Sequence, residues 1–162
     1  MIIEATDAEE AKRLIRKNKG KSIFVKAGGF EFNRKLIEFG GLAGIIFSAE
    51  SLVRAQREEA VNLKREPLVN FDRVMARFAR EKNVLIVVDL RGFFSREKVK
   101  CARNLAGLAQ LAKICAKERA ELRLVNYKSK RNAQALLHVL SCPTDLAKRA
   151  VRDSFLTELK LL

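Results

Sequence analysis

The sequence predicts an α/β protein built on a parallel sheet, and three observations carry that prediction. Short β-like runs alternate with helical patterns along the whole chain, in the order βαβαβαβαβαα, the signature of parallel strands joined by right-handed crossovers. The clearest strand, NVLIVVDL over 83–90, is apolar without alternation, as suits a parallel strand covered on both faces. The chain has 162 residues, enough for one domain that buries about 70% of its unfolded surface. Two architectures satisfy the pattern: an open doubly wound sheet, or a (β/α) barrel. A full barrel takes about 250 residues, so with about five strands any barrel here is incomplete.

The elements are expected in this order. Residues 1–5 are apolar and β-like. Thr6 then reads as a helix cap with Glu9 three residues on, a capping box, followed by the stripe Ala8, Ala11, Leu14 and Ile15 and a stop at Gly20. Residues 22–27 form a second strand, 31–38 a short helix, and GIIFS over 44–48 a third strand. The charged stretch 49–69 reads as an exposed helix ended by Pro67. Asn70 caps a helix with Phe71, Val74, Met75, Phe78 and Ala79 at helical spacing. After strand 83–90, Ser95 caps the longest helix, which runs to about Lys117. Residues 122–126 form a fifth strand, and helices near 132–141 and 144–152 follow, separated by Cys142-Pro143.

Charge is the dominant global feature. There are 33 Lys and Arg against 19 Asp and Glu, a formal net charge of +14. Such a surface favours a polyanion, because neutralising phosphates releases condensed counterions. No apolar run reaches the roughly 20 residues a membrane span needs, and no secretory signal opens the chain, so a cytoplasmic protein is expected. Cys101, Cys115 and Cys142 have no CxxC spacing and read as reduced thiols, with Cys101 and Cys115 on one helix face as buried residues.

Catalytic chemistry is thinly supplied. AGGFEF, between the second strand and its helix, lacks both dinucleotide-binding and P-loop spacing. Gly28 and Gly29 can bring a helix N-terminus to an anion, which leaves open a small α/β enzyme holding a phosphorylated metabolite. They can equally be turn residues, in which case Gly29→Val is expected to harm folding, since β-branched residues tolerate positive φ badly. His138 is the single histidine and no metal-ligating cluster accompanies it, so no metal or other cofactor is assigned to the chain. Asp89 ends the best strand at the edge where α/β sites lie, but a bond to the next loop's backbone N–H groups explains it better.

The basic residues are the stronger lead. Between Arg91 and Arg131 lie twelve Lys and Arg against Glu97, Glu118 and Glu121, a net +9. Arg96, Lys100 and Arg103 are spaced i, i+4, i+7, which places them on one face of a helix, with Lys98 beside them. Arg91 and the run Lys128, Lys130, Arg131 follow the two best strands. In a parallel sheet both loops leave at the C-terminal edge, so these charges converge there, suited to RNA backbone contacts. Phe93 and Phe94 share the first loop and either stack on bases or plug the mouth of the sheet, the second reading being preferred.

GGFEFNR, followed by GIIFSAE, resembles the archaeal ribonuclease P protein component 3 family, related to the eukaryal thirty-kilodalton subunit. Gly28, Gly29, Glu31, Asn33 and Arg34 match the family's first element, and Ser48 and Glu50 match its Ser-His-Pro-Glu element, from which Phe47 and Ala49 depart. NFDRVMARFAREKNVLIVVDLRGFF resembles the family's next block, and the basic helix after it fits in order. Two further strand–helix units usual at the family's N-terminus have no counterpart here, and the loop after the fifth strand is reduced to NYKSKRN. The resemblance implies a shortened TIM-barrel-like fold in a single domain over 1–162. It implies a non-catalytic subunit of the ribonuclease P ribonucleoprotein, whose RNA removes 5′ leaders from precursor tRNA with Mg2+. The implied partners are the ribonuclease P RNA, precursor tRNA indirectly, and other protein subunits, protein component 2 above all. RNA contacts are expected at Arg34, Arg91, Arg96, Lys98, Lys100, Arg103, Lys128, Lys130 and Arg131, with Gly28 and Gly29 as a fold-forming turn.

Overall fold

A computed structural model describes residues 1–53 and 69–152. Five strands, β1 (Ile2–Ile3), β2 (Phe24–Lys26), β3 (Gly44–Phe47), β4 (Leu85–Asp89) and β5 (Leu122–Val125), form one sheet in the order β1-β2-β3-β4-β5, every pair parallel. The helices are α1 (Ala8–Lys17), α2 (Phe30–Phe39), α3 (Ala49–Leu52), α4 (Arg73–Glu81), α5 (Lys98–Glu118), α6 (Lys130–Val139) and α7 (Thr144–Ala150). A doubly wound sheet reverses its strand order at a switch point. This one never reverses, so its progression is that of a TIM-barrel-like fold left open between β1 and β5.

Because each right-handed crossover steps the same way, all the helices fall on one face. The core divides accordingly. The helix-side layer joins Val25, Ile45, Ile86 and Leu122, in register across the sheet, to Ala11 and Ile15 of α1, Leu36 and Ile37 of α2, Met75 and Ala79 of α4, and Leu108 and Leu111 of α5. Phe47 meets Phe71 edge-on, ring centres 5.9 Å apart at 79°, a favoured aromatic geometry. The opposite layer contains Phe24, Ile46, Val87 and Val125, with Ile2, Ala43 and Leu85 against them, and no helical residue. Gly44 has a packing reason to lack a side chain: a Cβ there would stand 2.9 Å from both the Phe24 ring and the Leu85 carbonyl oxygen.

The helices pack in sequence, α1 on α2, α2 on α4, α4 on α5. Arg16 and Lys12 of α1 lie over the Phe39 ring of α2, at 5.1 and 5.9 Å from its centre.

All five strands fall within a residue or two of their expected positions; the caps shift. Asp7, not Thr6, precedes α1, and no side chain caps it. Asp72, not Asn70, caps α4, accepting from the Met75 N–H at 2.8 Å. Asn70 instead donates to the Ser51 carbonyl at 2.9 Å and so fastens the start of this segment to α3. Glu97, not Ser95, precedes α5, which begins only at Lys98. The helix expected across 49–69 is seen as α3 at its start, and 54–68 lie outside the described residues. Cys115 is buried as expected, but Cys101, near the start of α5, is only half-buried.

Candidate nucleic-acid interface

In a parallel sheet the loops leaving the C-terminal edge deliver the N-termini of the following helices. β4 and β5 are neighbours, with Asp89 opposite Val125, so the starts of α5 and α6 lie side by side. Asp89 organises both loops. Its carboxylate accepts the Arg91 backbone N–H at 3.0 Å and the Arg91 guanidinium Nε at 2.9 and 3.1 Å. Asn126, from the loop after β5 and in the left-handed region at φ 58°, adds a side-chain hydrogen bond. Burial pushes the Asp89 carboxyl up, but these hydrogen bonds together outweigh it and hold it below the usual carboxylate range. Asp89 is thus satisfied by the loop, as expected, and additionally steers Arg91, whose side chain stays 57% exposed.

Phe93 is fully buried and plugs the mouth of the sheet, with the Asn104 amide placed 3.4 Å from the Gly92 and Phe93 carbonyls. Phe94 points the other way and is 62% exposed.

The first turns of α5 and α6 oppose their own dipoles. A helix N-terminus carries about half a positive charge and normally attracts acidic residues. α1 has Glu9 and Glu10 there, and α2 has Glu31. α5 and α6 have no acid in the first turn. α5 starts instead with Lys98 and Lys100, and α6 with Lys130 and Arg131, all exposed. Glu97, before α5, makes no capping bond, whereas Ser129 caps α6 through the Asn132 N–H at 3.5 Å. Arg91, Arg96 and Lys128 add charge on the two connecting loops.

The structure therefore gathers Arg91, Arg96, Lys98, Lys100, Lys128, Lys130 and Arg131 at one end of the fold. Arg96 departs from the expected helical stripe, because it precedes α5; Lys100 and Arg103 keep a shared face, with Arg103 half-buried. Arg34 lies apart, on α2 beyond α4, bound to Glu38 at 2.8 Å one turn along. That carboxylate raises the Arg34 pKa by a hydrogen bond and its charge.

The glycine pair resolves into two different residues. Gly28 is tightly placed: a Cβ would lie 3.0 Å from the Phe32 ring. Gly29 caps α2 at φ −71° with open space around it, so the expected positive φ is absent and nothing there demands glycine. The anchor is Asn33, fully buried. Its side chain accepts from the Gly28 N–H at 2.8 Å and donates to the Gly28 and Asn70 carbonyls, each at 3.0 Å. The Gly28 N–H is consumed in this way, and Glu31 stands in the first turn of α2, so the loop offers a phosphate less than its glycines suggest.

Among the described residues, no group of three or more His, Cys, Asp or Glu is placed to hold a metal ion. His138 is exposed on α6. Burial pushes the Cys115 thiol far up, the nearby Cys142 adding to it, and burial raises Cys142 as well.

One basic cluster was not expected from the sequence. Arg73, Arg77 and Arg80 sit at i, i+4, i+7 along α4 and converge on Glu118, the last residue of α5. Arg73 Nε donates to Oε1 at 2.7 Å, Arg77 Nε to Oε2 at 2.9 Å, and Arg80 Nη1 to the Glu118 carbonyl at 3.3 Å. The spacing in DRVMARFAR is the signal that could have found it. No helix among the described residues is long and apolar enough to cross a membrane.

No family model matches the chain, and no curated protein does. A solved structure does match, the cryo-EM structure of archaeal Ribonuclease P with mature tRNA, at 19% identity and a TM-score of 0.67. The match covers 92% of this chain and 62% of the chain it matches. In its architecture, then, this chain is similar to a chain about half as long again, found in an archaeal ribonuclease P particle.

Proposed function

We propose that this chain is an RNA-binding protein subunit of ribonuclease P, supporting RNA-catalysed removal of 5′ leaders from precursor tRNA. The observation that carries the reading is the pair of basic helix starts at the sheet edge. Lysine and arginine in a first turn cost several tenths of a kcal/mol each against the dipole, and a phosphate backbone at that edge reverses the sign. The fold shared with a chain of an archaeal ribonuclease P structure supplies the enzyme class. The ordered GGFEFNR, GIIFSAE and NVLIVVDL blocks supply the choice of subunit, the protein component 3 family, with protein component 2 as its protein partner.

In this reading catalysis and its Mg2+ belong to the RNA, and the protein works in the cytoplasm by holding RNA in shape. Arg91, fixed by Asp89, and the long side chains of Lys98, Lys100, Lys128, Lys130 and Arg131 contact phosphates and carry little sequence information. Phe94 gives that edge one exposed ring on which a base can stack. Arg34, on another face, joins this set only if the RNA reaches α2.

The test is binding of ribonuclease P RNA by the Lys98→Ala, Lys100→Ala, Lys128→Ala triple variant across a salt series. Removing one phosphate contact lowers the slope of log K against log salt by about 0.7–0.9, so a drop of about two to three units is expected. A variant that folds and keeps the wild-type slope places the RNA elsewhere.

A further inference from the structure

The Arg73–Arg77–Glu118 cluster is built unlike a simple tie between helices. One carboxylate receives two guanidiniums, each through its Nε, and its backbone carbonyl receives a third arginine. Glu118 is 7% exposed, whereas the side chains of Arg73 and Arg77 remain 53% and 55% exposed. A carboxylate at a helix C-terminus is disfavoured by the dipole, so Glu118 is held there by its arginines. The hydrogen bonds from Arg77 and Arg73 keep its carboxyl ionised, far below the usual range. One arginine would neutralise it. Three leave positive charge in excess even with Glu81, whose charge also acts on Arg77, and among the described residues Arg73 and Arg77 show no hydrogen bond beyond those of their Nε atoms to Glu118.

We propose that Arg73 and Arg77 form a second, preorganised contact for RNA phosphates, separate from the sheet edge. Glu118 fixes both guanidiniums by their Nε atoms, so the planar forks face solvent with little rotamer freedom left to lose. Arginine forks match the geometry of phosphate oxygens, and a fork already fixed binds at a lower entropic cost than a mobile lysine. α5 separates the two surfaces: from Lys100 to Glu118 is 18 residues, a rise of about 27 Å. That is well beyond the ~8–10 Å over which salt screens exposed charges, so the Glu118 cluster is screened from Lys98 and Lys100 at the far end of α5. An RNA touching both presents more than one stretch of backbone, as a folded RNA does and a short single strand does not. The inference rests on the RNA-binding reading above and extends it to a second face.

The experiment is a salt series of binding to ribonuclease P RNA for four proteins: wild type, the edge triple variant, Arg73→Gln/Arg77→Gln, and Arg77→Gln alone. Glutamine keeps a hydrogen-bond donor for Glu118 while removing the charge. Arg77→Gln leaves Arg73 to balance the carboxylate, so it stays folded even if the double variant does not; circular dichroism confirms each. The expected result is a slope reduced by about 0.7–0.9 for Arg77→Gln and about twice that for the double variant. A short single-stranded RNA should show no such change. Folded variants with the wild-type slope overturn the second contact while leaving the edge intact. If wild-type protein binds none of these RNAs, the RNA-binding reading fails, and this inference with it.

Discussion

At the scale of residues, Asn33 holds together what the glycine pair only advertises. It is fully buried and bridges Gly28 to Asn70, so one amide joins the β2–α2 turn to the entrance of α4. Removing it leaves the Gly28 N–H and the Asn70 carbonyl without that partner inside the fold, at about 1–3 kcal/mol for each unsatisfied group. Asn33→Ala is therefore expected to lose roughly 3 kcal/mol by urea denaturation. Gly29→Ser should lose nothing, and gains a few tenths of a kcal/mol if its hydroxyl caps α2. A Gly29→Ser variant as damaged as Asn33→Ala would contradict this division of roles. The sequence marks the GGFEFNR stretch as important but not which of its residues fixes the turn. Burial of Asn33 depends on Asn70, 37 positions away, and no local pattern reveals such a pairing.

At the scale of elements, the strands were legible because unbroken apolar runs bounded by turns leave few alternatives. The helix caps were less so. Thr6, Asn70 and Ser95 are all sound capping residues, and each lies one or two positions before the residue that precedes its helix. Capping propensity alone cannot decide between neighbours such as Asn70 and Asp72; Asn70 is drawn away by its bond to Ser51, leaving Asp72 at the cap. The α4–α5 seam was not anticipated, since its arginines and glutamate are 38 to 45 residues apart in sequence. It makes a pH prediction. The Glu118 carboxyl falls from an ordinary 4.5 to about 2 in the folded protein, through hydrogen bonds from Arg77 and Arg73. A depressed carboxylate stabilises the fold above its ordinary value and ceases to do so as pH falls through its folded value. The stability gap between wild type and Glu118→Gln should be full above pH 4.5 and close towards pH 2, by urea midpoints at several pH values. A gap independent of pH would mean that the carboxylate's charge contributes nothing at this seam.

At the scale of the molecule, the parallel sheet and the convergence of Arg91 with Lys128 to Arg131 followed from strand order alone, because parallel topology sends both loops to one edge. The alternation of helical and strand patterns is the same in a barrel-like and a doubly wound sheet; only the family resemblance pointed to the barrel, and the pairing order agrees with it. The resulting protein has unequal ends. Along the C-terminal edge, the starts of α1 and α2 are acidic and those of α5 and α6 basic. Under the RNA-binding proposal this edge would steer the polyanion to the β4–β5 side, where a field of one sign raises the encounter rate and weakens with added salt.

A role in ribonuclease P is best tested by cleavage of precursor tRNA with the enzyme reconstituted from its RNA and other protein subunits, with and without this chain. Adding the chain is expected to raise 5′-leader removal at limiting Mg2+, and the edge triple variant, folded, is expected to restore much less of it. Equal cleavage with and without the chain, at every Mg2+ concentration, would contradict the proposed role.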